Sequence, residues 1–211
     1  MRVWEVFQSG GPVMWPLLAC SVLALAVILE RMLFWLSFIR HRNRSLAEEA
    51  LDLVPRGEWE TIRRQTLHSK DYIIRVMVSG TLHRDYDMGR AMEAEAESQV
   101  RRMQRFMSVL DTMITVSPLL GIFGTVLGII TSFKILGTAG IDDPRAVTGG
   151  IAQALITTAA GLGIAIISVF PHNYFNSRVD YAVHEMEKYA TSLELTFERF
   201  EKENSTDEGG H

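Results

Sequence analysis

The sequence predicts an all-α integral membrane protein, with three transmembrane helices and long helices that extend into the cytoplasm. Three observations predict it. Residues 6–29, 112–133 and 146–177 contain no Asp, Glu, Lys or Arg, and a helix of about 20 mostly apolar residues spans a hydrocarbon core. A hydrophobic share of 47% is ordinary in itself; its concentration into three blocks is not. The stretches outside the blocks carry apolar residues at helical spacing. The basic residues are also asymmetric. Arg40, Arg42 and Arg44 follow the first block, Arg101, Arg102 and Arg105 precede the second, and Arg178 follows the third. The link 137–145 holds Asp142 and Asp143 with Arg145 alone. Positive residues mark the cytoplasmic side of a span. The N-terminus is therefore expected outside, with residues 41–108 and the C-terminus inside.

Residues 1–40 form the N-terminus and the first transmembrane helix, expected near 13–37. The apolar run is long and ends in Phe34, Trp35 and Phe38 rather than in a small-residue cleavage site, so it reads as an uncleaved membrane helix. Pro12 and Pro16 stand near its start, where proline is tolerated. Trp4, Trp15 and Trp35 suit the membrane interfaces. Glu30 and Arg31 are either a functional intramembrane pair or an ion pair at the cytoplasmic boundary that can snorkel. Cys20 is the one cysteine, so no disulfide forms within the chain.

Residues 41–108 form a cytoplasmic helical region. Helices are expected at 47–54, 59–67 and 72–82, separated by Pro55-Arg56-Gly57 and Ser69-Lys70-Asp71. From Met88 onward Met92, Ala96, Val100, Met103, Met107 and Leu110 make one apolar stripe, and this helix is expected to run directly into the second span. Glu97 and Arg101 can pair across its outer face. Residues 109–174 hold the second and third spans, near 112–136 and 146–170, joined as a hairpin. Asp111 stands at its inner mouth as a boundary charge. Residues 175–203 form a C-terminal cytoplasmic helix, whose stripe of Phe175, Val179, Ala182, Met186, Leu193, Phe197 and Phe200 reads as bundle packing. Residues 204–211 are polar and glycine-ended, and disorder is expected there.

The hairpin carries the distinctive chemistry. Gly121, Gly124, Thr125, Gly128 and Ser132 recur at three- and four-residue steps, as do Gly150, Gln153, Ala154, Thr157, Gly161, Ala165 and Ser168. Small residues at such spacing let membrane helices approach closely. Thr158 lies about 100° round from Thr157 and faces a neighbouring helix or a lumen. Two readings stay open. Gly121, Gly124, Gly128 and Gly161 can be helix-packing positions with the threonines bonded to backbone. Alternatively Thr125, Thr157, Thr158 and Gln153 can form a polar seam along an ion path, since an amide in the membrane must find partners or water.

Other classes lack their signatures. There is no GxxxxGK, GxSxG or HExxH motif, so no enzyme activity and no cofactor are expected. The six histidines have no metal-ligand spacing, and no metal is expected. His172, at the inner end of the third span, reads as a pH-sensing group or as an interfacial histidine bonded to backbone or water. A net charge of −4 gives no reason to expect a nucleic-acid partner.

The paired blocks resemble the pore helices of the MotA/TolQ/ExbB proton-channel family. "SPLLGIFGTVLGIITSF" is similar to the family's APLLGLLGTVxGxxxxF, and "GIAQALITTAAGLGIAI" to its GIAEALxTTAxGLxxAIP. The N-terminal "GGPVMWPLLACSVLALAVILER" resembles the ExbB branch, so all three blocks are covered. By position, Thr125 and Thr158 match the pore threonines. Gln153 departs from the Glu usual in ExbB and TolQ, and Ile167 stands near the family's proline. The resemblance implies a bacterial inner-membrane subunit, in a homo-oligomer that is expected to be a pentamer, around a dimer of ExbD-like single-span subunits. Each partner would bring a membrane Asp, which the hairpin needs because Thr and Gln do not titrate near neutral pH. Proton-motive force would then drive a TonB-like protein and outer-membrane transport. A TolQ-like envelope-constriction motor, another motor subunit of the same family (gliding or export) and a structural membrane scaffold are the alternatives. A MotA-type stator, with four spans, fits less well.

Overall fold

The computed structural model describes residues 3–66, 69–139 and 144–208; of 3–4, 138–139, 144–147 and 204–208 it describes the backbone alone. The described residues are helical throughout, with no strand among them. In order they form α1 (Val3–Ser9), α2 (Met14–Arg40), α3 (Arg44–Leu53), a 3-10 turn (Val54–Arg56), α4 (Trp59–Thr66), α5 (Tyr72–Leu82), α6 (Met88–Met103), α7 (Met107–Ala139) and α8 (Pro144–Glu208). Three of these, α2, α7 and α8, are long and apolar enough to cross a membrane. That matches the three predicted spans. Trp4, His68, Asp142, Asp143, Arg145 and His211 fall at positions whose side chains lie outside the described residues.

Two compact units divide the chain. The first comprises Met1–Met32 and Phe106–Phe175. Its helices are held by two apolar clusters. Cys20 and Ala24 of α2 pack with Leu110 and Met113 of α7. Val13, Met14 and Leu17 pack with Phe7, Leu120, Leu127, Ile156 and Ala160. Outward-facing Leu23, Ile122, Phe133, Leu155 and Phe170 are each about half exposed or more. Apolar surface of this extent is stable only against lipid or other apolar chains.

The second unit comprises Leu33–Arg105 and Asn176–His211. Local signals set its helix starts. The Asn43 side chain accepts from Leu46 N at 3.2 Å, Asp71 accepts from Ile73 N at 2.9 Å, and Asp87 accepts from Arg90 N at 2.9 Å, so α3, α5 and α6 each have a capped first turn. Ile73, Ile74, Val76, Met77, Met92, Met186 and Leu193 are buried at its centre. Trp59 meets Phe197 and Phe200 edge-on, with centroids 5.8 and 5.7 Å apart. The expected stripe on α8 is therefore a packing face.

Two expectations change. The helix from Met88 does not run straight into the second span: it stops at Met103, and α7 begins at Met107. Between them Phe106 takes a left-handed φ of 64°, which a bulky residue adopts only when its surroundings impose it. Its ring sits 5.9 Å below the Arg31 guanidinium, a contact that an unbroken stripe does not reveal. At the other end, where disorder was expected from Asn204, α8 continues to Glu208.

Candidate functional site

Helices α7 and α8 pack antiparallel along a ladder of small residues. Its positions follow from steric room. A methyl at Gly128 would lie 2.7 Å from the Gly150 carbonyl oxygen and 2.9 Å from Ala154 Cβ. One at Gly124 would lie 2.7 Å from Thr157 Cβ, and one at Gly121 would lie 3.0 Å from Thr158 Cα. At Gly161 it would collide with the Ser117 carbonyl and sit 3.2 Å from Gly121 Cα. These backbones touch only because no side chain intervenes. All four glycines read from sequence as packing positions are thus in the hairpin's contact face.

The hydroxyls along this ladder differ in what they do. Thr157 is fully buried against Gly124 and donates to the Ala154 carbonyl at 2.8 Å. Thr158 is half-buried and donates across the hairpin to the Gly121 carbonyl at 3.0 Å. Thr125 lies at the margin, half-buried, and donates to the Ile122 carbonyl of its own helix at 2.6 Å. Ser132 and Ser168 are buried and donate to Gly128 and Ile164 at 3.1 and 2.8 Å. In Thr125 and Thr158 the proton is committed to a carbonyl, while the oxygen's lone pairs remain as acceptors. Such a group receives a hydrogen bond from water or from a protonated carboxyl.

Sequence reasoning passed over Ser117. It is fully buried in the hairpin, and its hydroxyl has no hydrogen-bond partner among the described residues. The signal was present: it precedes Gly121 by four residues, the spacing of the ladder. Gln153, grouped with the threonines from sequence, instead lies half-buried against Gly11 in the turn between α1 and α2. Asp111 is exposed on α7. Arg31 is buried and reaches the adjacent Glu30 with two short contacts, Nε to Oε2 at 2.5 Å and Nη2 to Oε1 at 2.6 Å. This is a two-pronged ion pair, the arrangement that makes a buried guanidinium tolerable. His172 is half-buried. Among the described residues no group of three His, Cys, Asp or Glu side chains could hold a metal ion.

A second polar cluster lies in the other unit, and no sequence pattern announced it. Arg42 pairs with Asp71 at 3.2 Å and with Glu185, and Arg44 reaches Glu185 at 3.0 Å. Asn43 N donates to Asp71 at 2.7 Å, and the Tyr72 hydroxyl donates to Glu185 at 3.3 Å. The Phe38 and Tyr72 rings stack 4.8 Å apart beside it. Burial alone would raise the Glu185 carboxyl, but hydrogen bonds from Arg44 and Arg42 and their charges outweigh it, and the group sits below its ordinary 4.5. Burial, with the carboxylates nearby, raises the Tyr72 phenol well above its ordinary 10.0, against the lowering effect of Arg42. The cluster borders a cavity of about 270 Å³ that Trp35, Ile39, Arg178 and Tyr181 also line. It pins loop, caps and α8 together and is built as structure.

Comparison with known proteins places these features. The model of a family described as the MotA/TolQ/ExbB proton channel family matches residues 65–188. The chain is 32% identical to the biopolymer transport protein ExbB-like 3 of Synechocystis sp., over 94% of this chain and 99% of that one. It is 27% identical to the biopolymer transport protein exbB1 of Vibrio cholerae, over 92% and 88% respectively. It is 33% identical to the Tol-Pal system protein TolQ of Pseudomonas aeruginosa, over 53% of this chain and 48% of that one.

Proposed function

The chain belongs to the MotA/TolQ/ExbB proton channel family, and from that premise we propose that it is the multi-span subunit of an ExbB-type motor in a bacterial inner membrane. The observation that carries the reading is the α7–α8 hairpin, closely packed and lined with hydroxyls, with no charged residue in 112–133 or 146–177. A proton path needs a group that binds and releases a proton. Thr hydroxyls and the Gln153 amide do not titrate near neutral pH, and His172 stands at the inner end of the third span rather than along the hydroxyl-lined stretch, so in this reading the group comes from another chain. In this reading, Thr125 and Thr158 face the lumen of a homo-oligomer, a pentamer, that encloses an ExbD-like dimer of single-span subunits. The partner's membrane Asp is charged on one side and neutral once protonated. Neutralisation removes the cost of passing a charge through a low-dielectric seam. The protonated carboxyl then donates to the open lone pairs of Thr158 and Thr125. Relative motion of the two rings passes work to a TonB-like protein and so to outer-membrane transport. The N-terminus is placed outside and the C-terminus inside, a reading that the arginine asymmetry supports.

The role is mechanical and conductive rather than enzymatic. A TolQ-like client is the second reading, supported by the TolQ identity across about half of the chain. Affinity purification from the native host tests the proposal. Recovery of a single-span protein with an Asp early in its span, in a complex whose native mass fits five copies of this chain, supports it. A stable monomer without such a partner contradicts it and favours a helix-packing scaffold.

A further inference from the structure

The turn between α1 and α2 meets α8 at one polar residue. Gly11 has a left-handed φ of 73°, and the Gln153 amide occupies the space that a side chain at this position would take. A methyl at Gly11 would collide with Nε2 and sit 2.7 Å from Cδ. One helical turn further on, Ile156 closes on Gly10, 3.2 Å from where its methyl would be. The turn is braced from within by Gly10 N to Val6 O at 3.1 Å, Gly11 N to Gln8 O at 3.3 Å and Met14 N to Gly11 O at 3.1 Å. Ile156 also packs on the cluster of Val13, Met14 and Leu17 that starts α2. One face of α8 thus holds the turn through Gln153 and Ile156, while Ala154 and Thr157 on the adjacent face hold α7.

We infer that Gln153 is a positioning residue that fastens the α1–α2 turn to α8, and that it does not offer its amide to the ion path. An uncharged amide can rest against a glycine here, where a carboxylate would lose solvation against apolar neighbours. Glycine at position 11 is required twice, for its φ and for the space the amide fills. The turn in this way sets where α2 begins against α8, at the end of the hairpin where Ser132 meets Gly150. Part of the test rests on the conducting role proposed above, so it has two readouts.

The first is independent of transport: amide hydrogen exchange of the full chain in lipid nanodiscs. Gln153→Ala should speed exchange at residues 10, 11 and 14 at least tenfold while leaving 117–132 unchanged. The second is proton flux with the native single-span partner. Gly11→Ala should lower flux at least tenfold, Gln153→Ala should keep at least a third of it, and the pair should return to within threefold of Gln153→Ala. Strain at the left-handed position accounts for the remaining deficit. Unchanged exchange in Gln153→Ala overturns the inference. So does a Gln153→Ala that abolishes flux while Gly11→Ala is silent, the result for an amide in the path. Wild-type protein that conducts nothing would overturn the functional reading, and the exchange result alone would then decide this one.

Discussion

Thr158 and Thr125 carry the same hydroxyl into different surroundings, and their valine variants should separate accordingly. Thr158 bonds across the hairpin to Gly121, so Thr158→Val should cost about 1 kcal/mol of hairpin stability as well as flux. Thr125 bonds within its own helix, so Thr125→Val should leave stability within about 0.5 kcal/mol and affect flux alone. Denaturant titration of the lipid-embedded chain beside a flux assay reads both, and equal stability losses would contradict the geometry. Ser117 offers a contrasting case. Its hydroxyl is buried without a partner among the described residues, and removing an unsatisfied polar group is neutral or stabilising. Ser117→Ala should raise stability by about 0–1 kcal/mol; a loss above about 1 kcal/mol would show that the hydroxyl is bonded in the membrane.

Between helices, the decisive quantity is how near two backbones come. Gly161 has the Ser117 carbonyl where a methyl would go, and a main-chain atom cannot swing aside. Gly161→Ala should therefore open the hairpin and cost about 1–3 kcal/mol. Among the described residues nothing lies within 4 Å of the same position at Gly137 and Gly149, so alanine there should be neutral or gain up to about 1 kcal/mol of helix propensity. The reverse order of stabilities would refute the ladder. The ladder's positions were legible because small residues at steps of three and four let membrane helices approach closely, while the choice between packing and a polar seam stayed open at that stage. What each hydroxyl did was not legible, because the choice between an own-helix carbonyl and one 37 residues away depends on register. The break before α7 was hidden too, since Phe106 shows no turn chemistry. The Arg42–Asp71–Glu185 cluster joins residues up to 143 apart and left no local trace. It does predict a pH dependence. The folded carboxyl of Glu185 titrates below its ordinary 4.5, so the unfolded chain binds the proton first as pH falls. The pair's stabilisation is complete above about pH 4.5 and lost as pH drops through the lower folded value. Glu185→Gln should remove that acid-limb dependence and cost about 2–4 kcal/mol at neutral pH; an unchanged acid limb in thermal unfolding would count against it.

For the molecule as a whole, fold class and family were readable from three charge-free blocks and two glycine–threonine motifs, because bilayer thickness and backbone satisfaction leave few alternatives. Gln153 was the residue most open to misreading. Its place in the motif groups it with the threonines, whereas its contact is with Gly11 in a turn more than a hundred residues away in sequence. On the inference drawn above, that contact takes the Gln153 amide out of the polar seam and leaves hydroxyls, which sharpens the central proposal: the chain supplies the walls of a proton path and a second chain supplies the titrating group. Proton flux into liposomes under an imposed potential measures this directly, comparing the chain alone, the chain with its single-span partner, and the chain with a partner whose membrane Asp is changed to Asn. The account predicts flux only in the second preparation. Comparable proton flux through the chain alone, or undiminished flux with the Asn partner, would contradict it.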